Sequence, residues 1–264
     1  KRQKFFFGFL IMFFSNQLKN ISNLKHCFFS RKNGVSKRIY NSLNCGLNSK
    51  DDKKNVIQNI NIVCKKLNCG KKPIITLNQT HSNKVVCFNN PEKVKDKIVG
   101  DAIVTKLKNI GIGVLTADCV PILFCDPKKK IIGCVHAGWK GALSGVIENT
   151  IDKFLELNSN ARDLVAAIGP CINHQRYEVG YDFYKKFVAQ SKNNKQFFII
   201  SNDKKYLFNI RSYIDAKLIG LGIKNIDHIK MDTFSDKENF FSYRRSKKDN
   251  DKDYGRCISV IIMA

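Results

Sequence analysis

Three apolar segments rich in β-branched residues follow one another in the middle of the sequence, and they constrain the fold more than any other feature. They cover residues 112–116, 121–125 and 130–136, and only short breaks separate them. Apolar runs of this length, bounded by polar and turn-forming residues, are typical of β-strands. We expect the three to be neighbouring strands, and such a run favours antiparallel pairing.

A glycine-containing turn follows the third segment and leads into a helix. The turn is Ala-Gly-Trp-Lys-Gly at residues 137–141, and apolar residues then recur at helical spacing. The spacing predicts a core-facing stripe made of Leu143, Val146, Ile147, Ile151, Phe154 and Leu155. The order strand, glycine turn, helix is therefore predicted for this stretch.

Further helices and strands are interspersed along the chain. The spacing of apolar residues over 51–67 predicts an amphipathic helix that begins at Asp51 or Asp52 and terminates near Gly70. Strands are predicted for 74–77, 84–88, 163–168 and 257–263, and helices for 181–189 and 210–219. Because no repeat or Pro-rich linker divides the chain, we expect one α+β domain with mixed, largely antiparallel sheets flanked by helices, a layered sandwich.

The first residues require a separate interpretation. Residues 1–14 combine basic and apolar residues as a signal peptide does, but no small-residue cleavage site follows them. We favour Met12 as the natural start, with residues 1–11 an upstream extension and residues 12–264 a single catalytic domain. The longest apolar run, residues 5–14, is about half of what a membrane-spanning helix needs.

The composition excludes some classes of protein and leaves others open. A formal net charge of +24 suggests a polyanionic partner, but the excess is mostly Lys, scattered in short groups without one basic stripe. We therefore expect no dedicated nucleic-acid partner. The ten Cys are diluted through a long chain, which favours reduced thiols and a cytoplasmic location over a disulfide scaffold.

Three residues stand out as candidates for chemistry. His81 and His136 each lie at a predicted strand edge, and Cys119 interrupts two strands that otherwise form continuous core. Two imidazoles and a thiolate, if convergent, would bind zinc with one coordination position free. A Cys-His pair is also a nucleophile arrangement, so Cys119 and His136 are candidate catalytic residues in either mechanism.

The glycine turn is also a candidate anion site. Exposed backbone N–H groups between Gly138 and Gly141 would favour an anion, and Lys140 adds a positive charge. A plain tight turn explains the same glycines equally well. Arg is scarce in this Lys-rich chain, which draws attention to Arg244 and Arg245, for which salt bridges and ligand contacts remain equally open.

Six motifs, taken in order, closely resemble one family. They are Gln-Thr-His-Ser at 79–82, Gly-Asp-Ala-Ile-Val-Thr at 100–105, Thr-Ala-Asp-Cys-Val-Pro at 116–121, His-Ala-Gly-Trp-Lys-Gly at 136–141, Gly-Pro-Cys-Ile at 169–172 and Tyr-Glu-Val at 177–179. The family has long been called multicopper polyphenol oxidase or laccase-like. It is now regarded as a family of zinc-dependent purine nucleoside phosphorylases.

The resemblance implies a metal ion bound by His81, Cys119 and His136. It implies phosphorolysis of adenosine, inosine, guanosine and 5′-methylthioadenosine to the free base and a ribose 1-phosphate. Purine nucleosides and inorganic phosphate are then the partners, and adenosine deamination would occur at the same site. Family positions that line the substrate pocket match Arg31, Asn44 and Gln79. The sequence departs from the family where Asn33 replaces a usual Gly, which Asn tolerates because it visits left-handed conformations.

Other functions remain open at this stage. Members of the family have also been tied to editing of peptidoglycan precursors, which a Cys119-His136 hydrolase could perform. A copper-dependent phenol oxidase is less expected, because a multicopper cluster is built largely from imidazoles and the chain has five His. A nonenzymatic RNA-binding protein would show salt-dependent RNA affinity that does not depend on Cys119.

Overall fold

The computed structural model describes residues 12–69, 74–88 and 98–264. Its strands are β1 (Met12–Phe13), β2 (Leu24–Phe29), β3 (Val85–Phe88), β4 (Ala102–Thr105), β5 (Gly111–Thr116), β6 (Val120–Asp126), β7 (Ile131–Ala137), β8 (Val165–Ile168), β9 (Glu178–Gly180), β10 (Phe198–Asn202), β11 (Lys205–Phe208), β12 (Asn225–His228) and β13 (Cys257–Met263). Its α-helices are α1 (Asn16–Lys19), α2 (Lys53–Leu67), α3 (Trp139–Ser144), α4 (Val146–Glu156), α5 (Tyr181–Gln190), α6 (Ile210–Gly220) and α7 (Tyr243–Lys248).

Two large sheets form the centre of the molecule. One has four antiparallel strands in the order β1-β2-β13-β5, and the other has six in the order β12-β8-β6-β7-β4-β3. The six-stranded sheet is antiparallel except at its two edges, where β12 lies parallel to β8 and β3 parallel to β4. A small antiparallel sheet, β10-β11-β9, lies apart from them. The predicted α+β layered sandwich with largely antiparallel sheets is confirmed.

The central strands are apolar throughout because both faces of the large sheets are covered. Along β6, Ile122 and Phe124 contact a core shared with α4 and α6, whereas Leu123 and Cys125 face the four-stranded sheet. The outer face of the four-stranded sheet packs on α2 through residues such as Val63. The layers are therefore helix, sheet, sheet, helix, and strands buried on both faces lose the usual alternation with polar residues.

The helix predicted over 51–67 is confirmed as α2. The side chain of Asp52 accepts a hydrogen bond from the backbone N–H of Lys54 and caps its first turn. The last helical residue is Leu67, and Asn68 after it terminates the helix in the left-handed conformation, with φ +50°. The sequence predicts this terminating role for Gly70. Gly70 itself lies outside the described residues. Asn can take that role because its penalty for positive φ is small.

Three local expectations are wrong. Strand β5 is not a neighbour of β6, because the chain crosses from the four-stranded sheet to the six-stranded one at residues 117–119. Residues 74–77 form isolated bridge contacts through Ile75 instead of a strand. The helix after the glycine turn is broken at Gly145, whose φ of +98° ends α3, and Leu155 is 46% exposed instead of core-facing.

The remaining expectations about the fold fare better. The predicted strands at 84–88, 121–125, 130–136, 163–168 and 257–263 are present as β3, β6, β7, β8 and β13, within two residues at each end. The ten cysteines all lie in described residues and none forms a disulfide, as expected. No helix in the described ranges combines the length and hydrophobicity that crossing a membrane requires. The expected upstream extension, residues 1–11, lies outside the described residues.

His26 provides a test of the packing around the first strands. This ring on β2 is buried, and its Nε2 accepts a hydrogen bond of 2.9 Å from the backbone N–H of Ser15. Burial lowers the pKa of His26 from 6.5 to about 4, despite the nearby carboxylate of Asp227. The unfolded chain therefore binds the proton more readily than the folded one between these values, so stability falls as the pH drops from about 6.5 towards 4.

We expect the free energy of unfolding to fall by about 2 kcal/mol more in the native chain than in a His26→Gln variant between pH 7.5 and pH 5. Glutamine retains an acceptor for the Ser15 N–H group but does not titrate. Denaturant unfolding at several pH values measures the difference. Parallel pH profiles for the two proteins would contradict this account of His26.

Candidate functional site

The loop that carries His81 is held by one buried carboxylate. Asp101, just before β4, accepts hydrogen bonds from the backbone N–H groups of Thr80 (3.2 Å), His81 (3.0 Å) and Ser82 (2.7 Å), and from the Ser82 hydroxyl (2.7 Å). His81 has φ +59°, a conformation that a non-glycine residue adopts only when its surroundings impose it. The carboxylate therefore fixes the position from which the His81 ring projects.

The same carboxylate orients His136. Nδ1 of His136, near the end of β7, lies 2.8 Å from Oδ1 of Asp101, and both side chains are buried. The backbone N–H of His136 also donates to the carbonyl of Asp101 at 2.7 Å. With Nδ1 bonded to a carboxylate, Nε2 is the ring nitrogen left to act as a ligand. Carboxylate–histidine pairs of this kind are typical of metal centres.

Cys119 completes a compact group of donors. It lies at the end of the crossing between the two large sheets, where Asp118 has φ +85°. Its Sγ is 3.9 Å from Nε2 of His81, and the rings of His81 and His136 lie 4.8 Å apart. One donor atom from each of the three residues lies within 4.8 Å of the others, a spacing that can hold a metal ion. The structure thus brings together His81, Cys119 and His136, which the sequence singled out.

The three donors also perturb one another electrostatically. Burial raises the pKa of the Cys119 thiol, but the charge of His136 and hydrogen bonds from His136 and His81 outweigh this effect and lower it to about 6. Burial lowers the pKa of His136, but the Cys119 thiolate and Asp101 outweigh it and raise it to about 9. Asp101 keeps its charge because hydrogen bonds from His136 and Ser82 overcome burial and hold its pKa at about 2.

A cavity of about 630 Å³ opens beside these donors and includes His81 and Cys119 in its wall. The other lining residues among the described ones are Thr80, Ala117, Asp118, Trp139, Lys140, Ile172, Tyr177, Glu178, Val179, Gly180, Phe183, Ile210, Tyr243, Arg244 and Tyr254. Five of these fifteen residues are aromatic. The volume falls in the range of pockets that bind small organic ligands.

Asp118 connects the C-terminal part of the chain to this cavity. Its buried carboxylate accepts hydrogen bonds from Thr233 Oγ1 (2.7 Å), Ser242 Oγ (2.9 Å) and the backbone N–H of Arg244 (2.6 Å). Burial raises the pKa of Asp118, and these three donors oppose that rise. The residue next to Cys119 therefore anchors the segment that forms the opposite wall.

Gly138 and Lys140 both lie close to the donors. A Cβ atom at Gly138 would lie 2.7 Å from Cδ2 of His81 and 3.1 Å from Sγ of Cys119, so the position admits only glycine without displacement of a ligand. Gly138 has φ −73°, which any residue can adopt, so the requirement is space and not backbone conformation. Lys140 is exposed and lines the cavity beside Trp139.

The structure does not bring Arg31, Asn44 and Gln79 to the wall of this cavity among the described residues. The Arg31 guanidinium donates to the carbonyls of Asn41, Lys237 and Ile39 and lines a separate cavity of about 540 Å³. Asn44 is fully buried, and the amide of Gln79 pairs with both backbone groups of Leu115 at 2.8 Å.

The backbone conformation of Asn33 explains why the family usually has glycine at this position. It has φ +64°, so the loop after β2 does take the left-handed conformation that Asn tolerates. The loop that contains Arg31 and Asn33 therefore needs no different backbone path on account of the missing glycine.

Several residues of the site were not identified from the sequence. Asp101 was part of a recognised motif without a role, although an acidic residue directly before a fully apolar strand was a usable signal. The aromatic wall includes Tyr177, which lies in one of the six motifs, and Tyr254, which does not. Because these residues come from distant segments, no local pattern shows that they line one cavity. For Arg244, which lines the cavity, the sequence alone does not distinguish a salt bridge from a ligand contact.

The chain is similar to known proteins in sequence and in fold. The sequence model of a family described as multi-copper polyphenol oxidoreductase laccase matches residues 25–264. A purine nucleoside phosphorylase of Rickettsia conorii is 38% identical over 191 residues, which is 72% of this chain and 78% of that protein. One from Haemophilus influenzae is 34% identical over 245 residues, 92% of this chain and 96% of that protein. The crystal structure of a Neisseria meningitidis protein matches with a TM-score of 0.82 at 30% identity, over 92% of this chain and 95% of that one.

The space at Gly138 can be tested by filling it. We expect Gly138→Ala to weaken metal binding by about 10-fold or more, because the added methyl group displaces His81 or Cys119. Gly180→Ala is the matched control, since Gly180 lines the same cavity and a Cβ there meets no atom within 4 Å. Titration of the metal-free proteins with Zn²⁺ against a chelator gives both affinities. Equal affinities in the two variants would contradict the crowding argument.

The role of Asp101 can be tested against another buried carboxylate. We expect Asp101→Asn to lower metal affinity by about 10- to 100-fold, because the amide cannot accept all the hydrogen bonds that orient His136 and the His81 loop. Asp126→Asn is the control. Asp126 is equally buried and accepts from the N–H groups of Lys128 and Lys129 and from the Ser159 hydroxyl, outside the cavity. If Asp126→Asn lowers zinc affinity as much, Asp101 acts only through general stability.

Proposed function

The chain belongs to the multi-copper polyphenol oxidoreductase laccase family, and from this premise we propose that it is a zinc-dependent purine nucleoside phosphorylase. The observation that carries the proposal is the convergence of His81, Cys119 and His136 beside a cavity whose wall includes His81, Cys119 and five aromatic residues. The names of the Rickettsia and Haemophilus relatives support it. The proposed substrates are adenosine, inosine, guanosine and 5′-methylthioadenosine together with inorganic phosphate, and adenosine deamination is proposed as a second activity.

The donor set fits zinc. Two imidazole nitrogens and a thiolate are the ligand types of catalytic zinc sites, which keep a further position for water or substrate. The carboxylate partner of His136 and the crowding at Gly138 both fit a centre with fixed ligand positions. Zinc bound there would supply a Lewis acid that polarises a substrate group facing the cavity.

A multicopper oxidase fits this site less well. Such clusters are built largely from imidazoles, and the chain has five His, all in described residues. His26 accepts a hydrogen bond from Ser15, and His228 pairs with Asp215 at 3.2 Å. The group of candidate metal ligands in the described residues contains two imidazoles, those of His81 and His136, and the family name alone therefore does not favour copper.

The cavity wall suits a purine nucleoside. Its rings offer flat apolar faces on which a base can stack, and base–aromatic stacking contributes about 1–3 kcal/mol per base. Tyr177 is half-buried and packs on Phe183 with ring centroids 6.1 Å apart, and Tyr243 meets Tyr254 edge-on at 5.1 Å. We assign these aromatic residues to binding of the purine base. Stacking does not distinguish adenine, hypoxanthine and guanine, so the same rings serve all the proposed substrates.

The reaction requires an anion next to the ribose. In phosphorolysis a phosphate oxygen forms a bond to C1′, the bond from C1′ to N9 breaks, and the purine leaves with the electron pair and takes up a proton. We assign attraction of the phosphate to Lys140, an exposed cation that lines the cavity. The proposed contacts of Arg31, Asn44 and Gln79 with substrate stay predictions.

Purified protein incubated with inosine or adenosine tests the proposal. We expect free base and ribose 1-phosphate in equal amounts, only when phosphate is present, with ammonia formed from adenosine. Cys119→Ala and His136→Ala should each lower kcat/KM by about 100-fold or more, because each removes a metal ligand. Cys64→Ala, a cysteine on α2 outside the cavity, should leave kcat/KM unchanged.

Two outcomes would overturn the proposal. Base release that does not need phosphate would exclude phosphorolysis, and full activity in both metal-ligand variants would exclude this site. Turnover of a peptidoglycan-derived amide that is lost in Cys119→Ala but does not need metal would favour the Cys119-His136 hydrolase instead.

A further inference from the structure

Two adjacent arginines at the start of α7 have different surroundings. The Arg245 guanidinium donates to the backbone carbonyls of Thr233, Phe234 and Phe240 at 2.5–2.8 Å, so its donors are used within the fold. It lines the cavity that also contains Arg31. Arg244 faces the other way and lines the cavity beside the metal ligands. Arg245 therefore has a structural role, whereas Arg244 faces the cavity in which a ligand would bind.

The Arg244 guanidinium is held but not neutralised. It donates one hydrogen bond of 2.9 Å to the carbonyl of Glu178, and its Cζ lies 5.3 Å from the centre of the Tyr177 ring. In the part of the chain that the structure describes, no carboxylate lies within ion-pair distance of it. The Glu178 carboxylate instead pairs with Lys205 at 3.0 Å. A half-buried guanidinium that no carboxylate neutralises is available to form charge-assisted hydrogen bonds with an anion.

The backbone of Arg244 is tied directly to the residue beside a metal ligand. Its N–H group donates to Oδ2 of Asp118, and Cys119 is the next residue along the chain. This connection holds the arginine in a fixed relation to the donor cluster, although the two lie far apart in sequence. Lys140 is the other cation of this wall among the described residues, but it is exposed and acts as a point charge.

We propose that Arg244 is the residue that binds and orients the attacking phosphate. The proposal rests on the phosphorolytic function and specifies its anion subsite. A guanidinium offers two parallel N–H donors to two phosphate oxygens, which aligns a third oxygen towards C1′ of the ribose. A guanidinium donates hydrogen bonds but does not give up a proton in proteins, so the proton of the departing purine comes from another group or from the phosphate itself.

The inference predicts a specific kinetic change in Arg244→Gln. At saturating inosine, the KM for phosphate should rise by about 10- to 100-fold, the range expected for lost hydrogen bonds to a charged group. The KM for inosine and the zinc content should stay within about 2-fold of the native values. Arg244→Lys should recover part of the loss, because it keeps the charge without the bidentate fork.

Arg176→Gln is the matched control for the loss of one positive charge. Arg176 is exposed, its guanidinium lies over the Phe234 ring at 5.7 Å, and it does not line the cavity of the metal ligands. Arg176→Gln should leave the KM for phosphate unchanged. This control distinguishes a direct contact between Arg244 and phosphate from a general effect of lowering the chain's net charge of +24. Thermal unfolding of each variant verifies that the fold is retained.

The outcomes separate this inference from the proposed function. If the native chain releases no ribose 1-phosphate, both fail together. If the native chain is phosphorolytic but Arg244→Gln keeps its phosphate KM, only the assignment of Arg244 fails. If Arg244→Gln does not fold, Arg244→Lys decides, since an unchanged phosphate KM in that variant would also overturn the assignment. A parallel rise in the KM for inosine would indicate a structural role through Tyr177 and Glu178.

Discussion

The buried carboxylate of Asp101 is the interaction on which the site depends. It bonds to the backbone of the His81 loop and to Nδ1 of His136, two segments that are separated by more than fifty residues. An ionised carboxylate without these donors would be costly at zero exposure, so the fold that buries Asp101 must also bring its partners to it. This one carboxylate therefore holds the backbone of the His81 loop and the ring of His136 in a fixed relation to each other. Metal binding would then require little rearrangement of the chain.

The crossing at residues 117–119 links the same site to the architecture. The chain leaves the four-stranded sheet after β5 and enters the six-stranded sheet at β6, and the left-handed conformation of Asp118 makes this corner. Cys119 therefore lies where the chain passes from one sheet to the other and lines the cavity, whereas most other cysteines are buried. Asp118 fixes the corner further through Thr233 and Ser242. The geometry of the thiol is thus a consequence of how the two sheets pack.

Local contacts, and not the overall charge, determine where an anion would bind. The chain carries a net charge of +24, but most of its cations lie on the surface, where salt screens them. Within the cavity the relevant cations are Lys140 and Arg244, and only Arg244 is held in place by the backbone of Asp118 and by Glu178. The excess of lysine would attract anions in general through its long-range field, whereas a half-buried guanidinium can bind two oxygens of one anion in a fixed orientation.

Local patterns in the sequence identify the helices and strands whose apolar periodicity is strong, and they identify residues of rare type that can carry chemistry. The helix at 53–67, the strands at 120–126, 131–137 and 257–263, and the group His81, Cys119 and His136 were all identifiable, because apolar spacing is local and His is scarce in this chain. Local patterns do not show that β5 pairs with β13 and not with β6. They also do not show that Asp101 is hydrogen-bonded to the backbone of His81 and to the ring of His136. The tertiary structure alone separated Arg244 from Arg245 and placed Arg31 in a different cavity. The physical reason is that these relations depend on long-range packing and hydrogen bonds, which leave no local pattern in a single sequence.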